Sequence, residues 1–265
     1  MKWRLMVTSE LLDLAVDIAV EAGELLRDRF EFGVTDVATK STPTDVVTDA
    51  DRDSENLVLR RISGARPGDG VVSEEGEARA SSSGVTWIVD PLDGTVNYLF
   101  GIPVWAVSIA ARDREGALIG VVNDPTRAEV FAAERGAGTW LNERRVRVSQ
   151  ASDLATALVG TGFSYDADAR RVQAKRLVRV LPRVRDVRRA GSAAIDLAWL
   201  ACGRLDGFFE APMKAWDRAA GELLVREAGG IVTELESPGR DPEDSGVVAA
   251  NPALHGSLSD LVTSD

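Results

Sequence analysis

The stretch Trp87-Ile88-Val89-Asp90-Pro91-Leu92-Asp93-Gly94-Thr95 constrains this chain more than any other. Val85, Trp87, Ile88 and Val89 read as a strand covered on both faces. Such a strand needs a layer on each side, and 265 residues with 45% hydrophobic content can bury a core of that size. Pro91 has no N–H for a sheet ladder, so the strand is expected to stop at Asp90. Asp90 and Asp93 then fall in the turn beyond it, where side chains and backbone carbonyls can converge on a cation. Gly94 permits close backbone approach, and the amides of Gly94 and Thr95 can point at a phosphate. An isolated Asp-x-x-Asp is ordinarily a solvated turn. Here it ends a buried strand and is joined by two further acidic groups, at Glu74-Glu75 and Trp216-Asp217.

The formal charge of −11 is the opposite of what a binder of nucleic-acid backbone carries, so no nucleic-acid partner is expected. Cys202 is the only cysteine, which excludes an intrachain disulfide and a thiolate metal cluster; its apolar surroundings, Ala198 to Ala201, suggest buried helix filler. His255 is the only histidine and reads as a surface residue of the last helix. Histidine triads and histidine-rich zinc sites are thereby set aside, and any catalysis must run on carboxylates, hydroxyls, amides and metals. The N-terminus lacks a secretory core, and no apolar run approaches the roughly 18–20 residues of a membrane span. The expectation is a soluble, cytoplasmic protein with no membrane partner.

Leu11, Leu12, Ala15, Ala19, Ala22, Leu25 and Leu26 recur at helical spacing, predicting a helix over 9–30. Lys40 to Asp45 is turn chemistry before a second helix over about 48–62, where Thr48 and Asp51 resemble a cap. A short strand, 71–73, delivers Glu74 and Glu75. From 104 to 148 the pattern is that of an antiparallel meander, with turns at Glu115-Gly116 and Arg135-Gly136. Beyond about 155 strands and helices alternate: strand 156–163, helix 166–180, strand 185–188, helix 192–203, strand 206–210, helix 216–228, strands 231–235 and 246–250, and helix 252–262. That alternation suggests layered α/β architecture, read as one unit over 1–265 with a soft internal boundary near 150–155.

Asp90-Pro91-Leu92-Asp93-Gly94-Thr95, after Trp87 and before Asn97-Tyr98, resembles the first signature of the inositol monophosphatase family. Trp216-Asp217-Arg218-Ala219-Ala220-Gly221, leading into Glu227-Ala228-Gly229-Gly230, resembles the second. The order also fits: Lys40 and Asp45, Asp51, Glu74-Glu75, the Asp90–Thr95 segment, Gly191-Ser192-Ala193, Glu210 and Asp217. Either signature alone is suggestive; together, in order and spanning roughly residues 10–260, they are highly specific. Val96, Tyr98 and Ser73 depart from the commonest residues (Thr, Phe and Gly), and Lys214 occupies a variable position; none of these is a proposed ligand.

The resemblance implies a mixed α/β fold of layered αβαβα type, assembled as a homodimer. It implies a Mg²⁺-dependent, lithium-sensitive phosphatase acting on a small phosphorylated polyol or sugar, most often inositol 1-phosphate. Histidinol phosphate, fructose 1,6-bisphosphate and 3′-phosphoadenosine nucleotides are the enzymatic alternatives. A binding or regulatory protein with vestigial activity is the alternative of another class. Residue by residue, one Mg²⁺ falls to Glu74, Asp90 and the Leu92 carbonyl. A second falls to Asp90, Asp93 and Asp217, with Glu74 supporting a weaker third ion. Thr95, assisted by Glu74 and Asp51, would orient or deprotonate the attacking water. Asp93, Gly94, Thr95, Ala193 and Glu210 would contact substrate, with Lys40 and Asp45 as auxiliary loop residues. Arg188, with Arg189 beside it, reads either as an auxiliary contact to substrate or a second subunit or as a solvated strand end. The charge argument agrees. Two like charges about 4 Å apart cost ~4 kcal/mol at an effective dielectric of 20, and several such pairs rival a whole domain's stability of ~5–15 kcal/mol. All-oxygen ligands favour Mg²⁺ over softer metals.

Overall fold

The structure, a computed structural model, describes residues 9–32, 37–39, 46–76, 78–237 and 245–264. Lys40 and Asp45 lie outside the described residues. Helix α1 (Glu10–Phe32) buries Leu12, Ala15, Ile18, Ala19, Ala22 and Leu26 along one face, as its sequence spacing requires. Strands β1 (Val37–Thr39) and β2 (Val46–Thr48) form a small antiparallel pair, after which α2 (Asp49–Ala65) begins. The predicted Thr48–Asp51 cap is a full capping box, with each residue's side chain meeting the other's backbone N–H.

The larger sheet has seven strands in sequence order: β3 (Gly70–Ser73), β4 (Thr86–Asp93), β5 (Ala106–Asp113), β6 (Gly116–Asp124), β7 (Glu129–Glu134), β8 (Gly138–Leu141) and β9 (Arg144–Val146). Only β3–β4 is parallel; the rest is the expected meander. A short helix, α3 (Thr95–Leu99), follows β4. The second half gives β10 (Leu158–Thr161), α4 (Ala167–Val180), β11 (Asp186–Arg188), α5 (Ala193–Ala201), β12 (Gly207–Glu210), α6 (Ala215–Glu227), β13 (Ile231–Leu235), β14 (Gly246–Ala250) and α7 (His255–Thr263). Its five strands run β11-β10-β12-β14-β13, parallel through β12 and antiparallel beyond.

Three cores stack between the layers. One, with Leu12, Ile18, Trp87 and Ile109, lies between α1/α2 and the seven-stranded sheet. The second packs α5 and α6 between the two sheets, through Leu197, Leu224 and Phe208. The third covers the outer face of the five-stranded sheet with α4 and α7. The order is therefore αβαβα, as expected. Trp87 shows why β4 is the pivot: its ring is fully buried and its Nε1–H donates to Asp69 at 2.9 Å. Truncating it to alanine would cost about 3–5 kcal/mol.

Several sequence expectations are corrected. Strand β4 does not stop at Asp90 but runs through Pro91 to Asp93, with a register shift against β5 between Asp90 and Asp93. A bulge leaves residues unpaired, so the missing proline N–H costs nothing there. His255 is buried, its Nε2 3.0 Å from the Thr233 hydroxyl, and burial lowers its pKa. Cys202 is only partly buried; it ends α5, with its thiol donating to the Trp199 carbonyl at 3.4 Å. Among the described residues, no helix is long and apolar enough to cross a membrane.

Candidate active site

The carboxyl ends of β3 and β4, the N-terminal turn of α2 and the starts of α5 and α6 meet at one place. Asp90 and Asp93 arrive there from the irregular end of β4, Glu74 from the loop after β3, and Asp217 from the first turn of α6. Gly94 turns the chain into α3 with φ +96°, a conformation that favours glycine, and any Cβ would stand 2.9 Å from the Val104 carbonyl. Tyr98 holds α3 in place: its hydroxyl donates to the Leu26 carbonyl at 2.7 Å, and its ring packs on Phe30 and Trp105. The neighbouring Asn97 amide bridges the two halves, donating to the Val104 carbonyl at 2.8 Å and to the Ala190 carbonyl at 2.9 Å.

Thr95 occupies the centre. Its hydroxyl lies 3.0 Å from Asp51 Oδ1 and 3.0 Å from the Leu92 carbonyl, so it can donate to either. Asp51 is fully buried, and its other oxygen takes the Thr48 N–H at 2.9 Å and the Thr48 hydroxyl. Burial raises the Asp51 pKa, and the bonds from Thr48 and Thr95 pull it back down.

The acids around Thr95 repel one another. Burial, then the charges of Glu74, Asp93 and Asp217, push Asp90 well above the usual carboxylate range. Asp217 is pushed up by burial, then by Glu74 and Asp93, although Oδ2 takes the Lys214 N–H at 2.7 Å. Burial also raises Asp93, against donors to its Oδ2 from the Ser192 hydroxyl at 2.6 Å and the Ala194 amide at 2.7 Å.

Among the described residues, no three acids, imidazoles or thiols stand close enough to hold a metal ion in their present rotamers. The hydrogen-bond pattern explains this. Glu74 is among the groups that raise the Asp90 pKa, which sets the two carboxyl groups side by side. Asp93 and Asp217 are each turned toward backbone donors. Repulsion among buried acids is what a cation would relieve. The donor set also fits a hard divalent ion, being four carboxylates plus the carbonyl of buried Leu92, with His255 engaged elsewhere by Thr233.

Glu210 ends β12 with its carboxylate directly over Gly162, where a Cβ would overlap it. Burial, then the charge of Asp196, pushes Glu210 up to about 8. The amide of Ala193 faces Asp93 and so braces that acid. Arg188 is not brought in: it sits exposed on β11, paired with Asp186 at 2.6 Å. The neighbouring Arg189 is the cation whose charge is felt by Asp93, Asp196 and Glu210. Sequence reading also missed Ser54, Glu55 and Asp196. The first two carried a usable signal, since they lie three and four residues beyond Asp51 on one helical face.

Comparison with known proteins finds relatives over nearly the whole chain. The profile of the inositol monophosphatase family matches residues 8–264. An inositol-1-monophosphatase of Mesorhizobium japonicum is 43% identical over 258 residues, covering 96% of each chain. The protein named Nus factor SuhB of Escherichia coli is 40% identical over 246 residues, covering 92% of each. The crystal structure of the extragenic suppressor protein suhB of Bartonella henselae superposes with a TM-score of 0.90 at 37% identity, covering 97% of this chain and 99% of that one. The chain belongs to the inositol monophosphatase family.

Proposed function

We propose that this protein is a Mg²⁺-dependent phosphomonoesterase that hydrolyses myo-inositol 1-phosphate to inositol and phosphate. The observation that carries the reading is the mutual influence of Glu74, Asp90, Asp93 and Asp217 at the end of β4, next to Thr95, whose hydroxyl is bonded to buried Asp51. Glu74, Asp90 and the Leu92 carbonyl would hold one ion, and Asp90, Asp93 and Asp217 a second. Glu74 also suits a weaker third. When bound, such cations neutralise the acids, polarise a phosphate ester and make a nearby water more acidic.

The chain's own residues do the rest. When Thr95 donates to Asp51, its lone pairs face outward to accept a water proton, and Asp51 can take the threonine proton in turn. Glu74 assists at the same water. The amides of Gly94 and Thr95 would hold phosphate oxygens. Glu210, with the backbone at Ala193, forms the wall that accepts leaving-group hydroxyls. Water attacks phosphorus directly, so no phosphoenzyme forms. The reading is completed by a homodimer working in the cytoplasm.

Histidinol phosphate, fructose 1,6-bisphosphate and 3′-phosphoadenosine nucleotides are the competing substrates, because the leaving group is read by loops and not by the two signature segments. A second reading, a binding or regulatory protein with vestigial activity, draws support from the name of the E. coli relative. A phosphate-release panel over these substrates tests both readings. Inositol 1-phosphate is expected to be the best of them, with turnover abolished by chelation and restored by Mg²⁺. Li⁺ is expected to inhibit uncompetitively. Turnover by metal-stripped enzyme, or none with any substrate, would reject the first reading.

A further inference from the structure

Helix α2 does more than supply Asp51. Three side chains of its inner face reach three separate segments of the site. Asp51 accepts from the Thr95 hydroxyl at 3.0 Å, Ser54 donates to the Pro91 carbonyl at 2.8 Å, and Glu55 Oε1 accepts from the Ser73 hydroxyl. All are buried, Glu55 at 8% exposure and Ser73 at 6%. The Glu55 carboxylate fits into the concave side of the 73–76 turn: a Cβ on Gly76 would stand 3.0 Å from Oε1, tight enough to displace it. Ser73 is the last residue of β3, and the Glu74 N–H still bonds the Val89 carbonyl at 3.2 Å. Beyond that point the chain leaves the sheet, and Glu55 meets it there. A hydroxyl donating to a carboxylate is a stronger anchor than a neutral pair.

We propose that Glu55 and Ser73 form a positioning pair for Glu74, anchoring the residue before it so that its carboxylate is delivered beside Asp90. The proposal rests on the metal-dependent reading of the site. Glu55 touches neither substrate nor reacting atoms. Its effect is to order the 73–76 turn in advance, so that ion binding does not have to meet that entropic cost. Loss of the anchor therefore weakens cation affinity far more than it slows the loaded enzyme. A merely structural contact would lower the melting temperature and leave cation affinity unchanged.

The test is calorimetric titration of Mg²⁺ into the chelator-stripped full chain, alongside the Mg²⁺ dependence of phosphate release. Ser73→Ala and Glu55→Ala are each expected to weaken Mg²⁺ binding by about tenfold or more, as loss of a ligand's supporting hydrogen bond does. The double variant should be no worse than the weaker single, and Glu55→Gln, which keeps an oxygen acceptor but not the charge, should recover part of the loss. Unchanged affinity with only a lower melting temperature, losses that multiply in the double variant, or Glu55→Gln no better than Glu55→Ala would each overturn the proposal. If Glu55→Ala fails to fold, Ser73→Ala decides, since it removes only the donor. If wild type binds Mg²⁺ and Ser73→Ala binds it equally, this proposal alone falls. If wild type binds none, the metal reading falls and takes the pair with it.

Discussion

The two sides of the site are built differently. On the α2/β4 side, polar groups close on one another: Thr48 on Asp51, Asp51 on Thr95, Ser54 on Pro91, Glu55 on Ser73. On the α5/β12 side, acids are buried with little support. Asp196 is 1% exposed with Oδ1 lacking a hydrogen-bond partner, and burial, then the charge of Asp93, pushes it well above the carboxylate range. Glu210 stands nearby, also pushed up. The first side resembles a mount that fixes reacting groups before substrate arrives. The second stores unfavourable charge that a ligand with hydroxyl donors would relieve. Breaking the mount should therefore affect every substrate, and altering the wall should affect some substrates more than others.

The largest effect is expected from Asp90→Asn, which removes the acid on which the other charges focus. Several kcal/mol of charge stabilisation would go with it, so turnover should fall by more than about a thousandfold on every phosphate ester. Retention of even a tenth of wild-type turnover would remove Asp90 from the centre of the site. Thr95→Ala comes next, with a loss of about a hundredfold, near the lower end for general acid–base assistance. Thr95→Ser keeps the hydroxyl facing Asp51 and should restore most of the rate. Equal losses for alanine and serine would mean that the threonine methyl, and not the hydroxyl, matters.

The mount was the more legible side in the sequence. Thr48 and Asp51 sit at capping-box spacing, and the signature around Asp90 places its acids at a strand end. Periodicity located α1, and turn chemistry bounded the meander. The errors fell where the answer depends on pairing between distant segments. Pro91 reads as a strand terminator until the bulge opposite β5 is known. His255 reads as surface until β13 brings Thr233 against it. Arg188 and Arg189 are adjacent on and beyond a three-residue edge strand, where side-chain direction alternates, and sequence alone could not choose between them. Asp196 looks like any helix residue until Gly160 of β10 and Gly162 just beyond that strand make room for its carboxyl group and for that of Glu210.

Glu210→Gln probes the wall alone and should have a smaller, selective effect. Assayed above its raised pKa of about 8, Glu210 is a charged acceptor, and a hydrogen bond to it from a substrate hydroxyl contributes ~1.5–3 kcal/mol, so use of inositol 1-phosphate there should drop by at least about tenfold. Hydrolysis of p-nitrophenyl phosphate, which offers no such hydroxyls, should change little. Comparison of kcat/KM on the two esters checks this, and equal losses would place Glu210 with the mount.

The smallest effect concerns stability without metal, where Asp217→Asn should be opposite in sign to its effect on catalysis. The folded-state pKa of Asp217 is raised by burial, then by Glu74 and Asp93. A raised carboxyl holds its proton more tightly folded than unfolded, so its favourable contribution is complete below the ordinary carboxylate value. That contribution is lost as pH rises through the folded-state value. Asparagine stays neutral throughout and still offers an oxygen to the Lys214 N–H, so the cap at the start of α6 survives. The aspartate's attraction to the helix N-terminus, about 0.3–1 kcal/mol, works against the variant, but the upward shift shows that burial and repulsion outweigh it. In chelator, thermal melts of wild type and Asp217→Asn should therefore coincide near pH 4 and separate toward pH 8, with the variant melting a few degrees higher. Saturating Mg²⁺ should reverse the order, because wild type alone then has its full set of charged ligands. If metal-free wild type instead gained on the variant as pH rose, the acids would not be in conflict, and the contrast between mount and wall would fail at its most strained point.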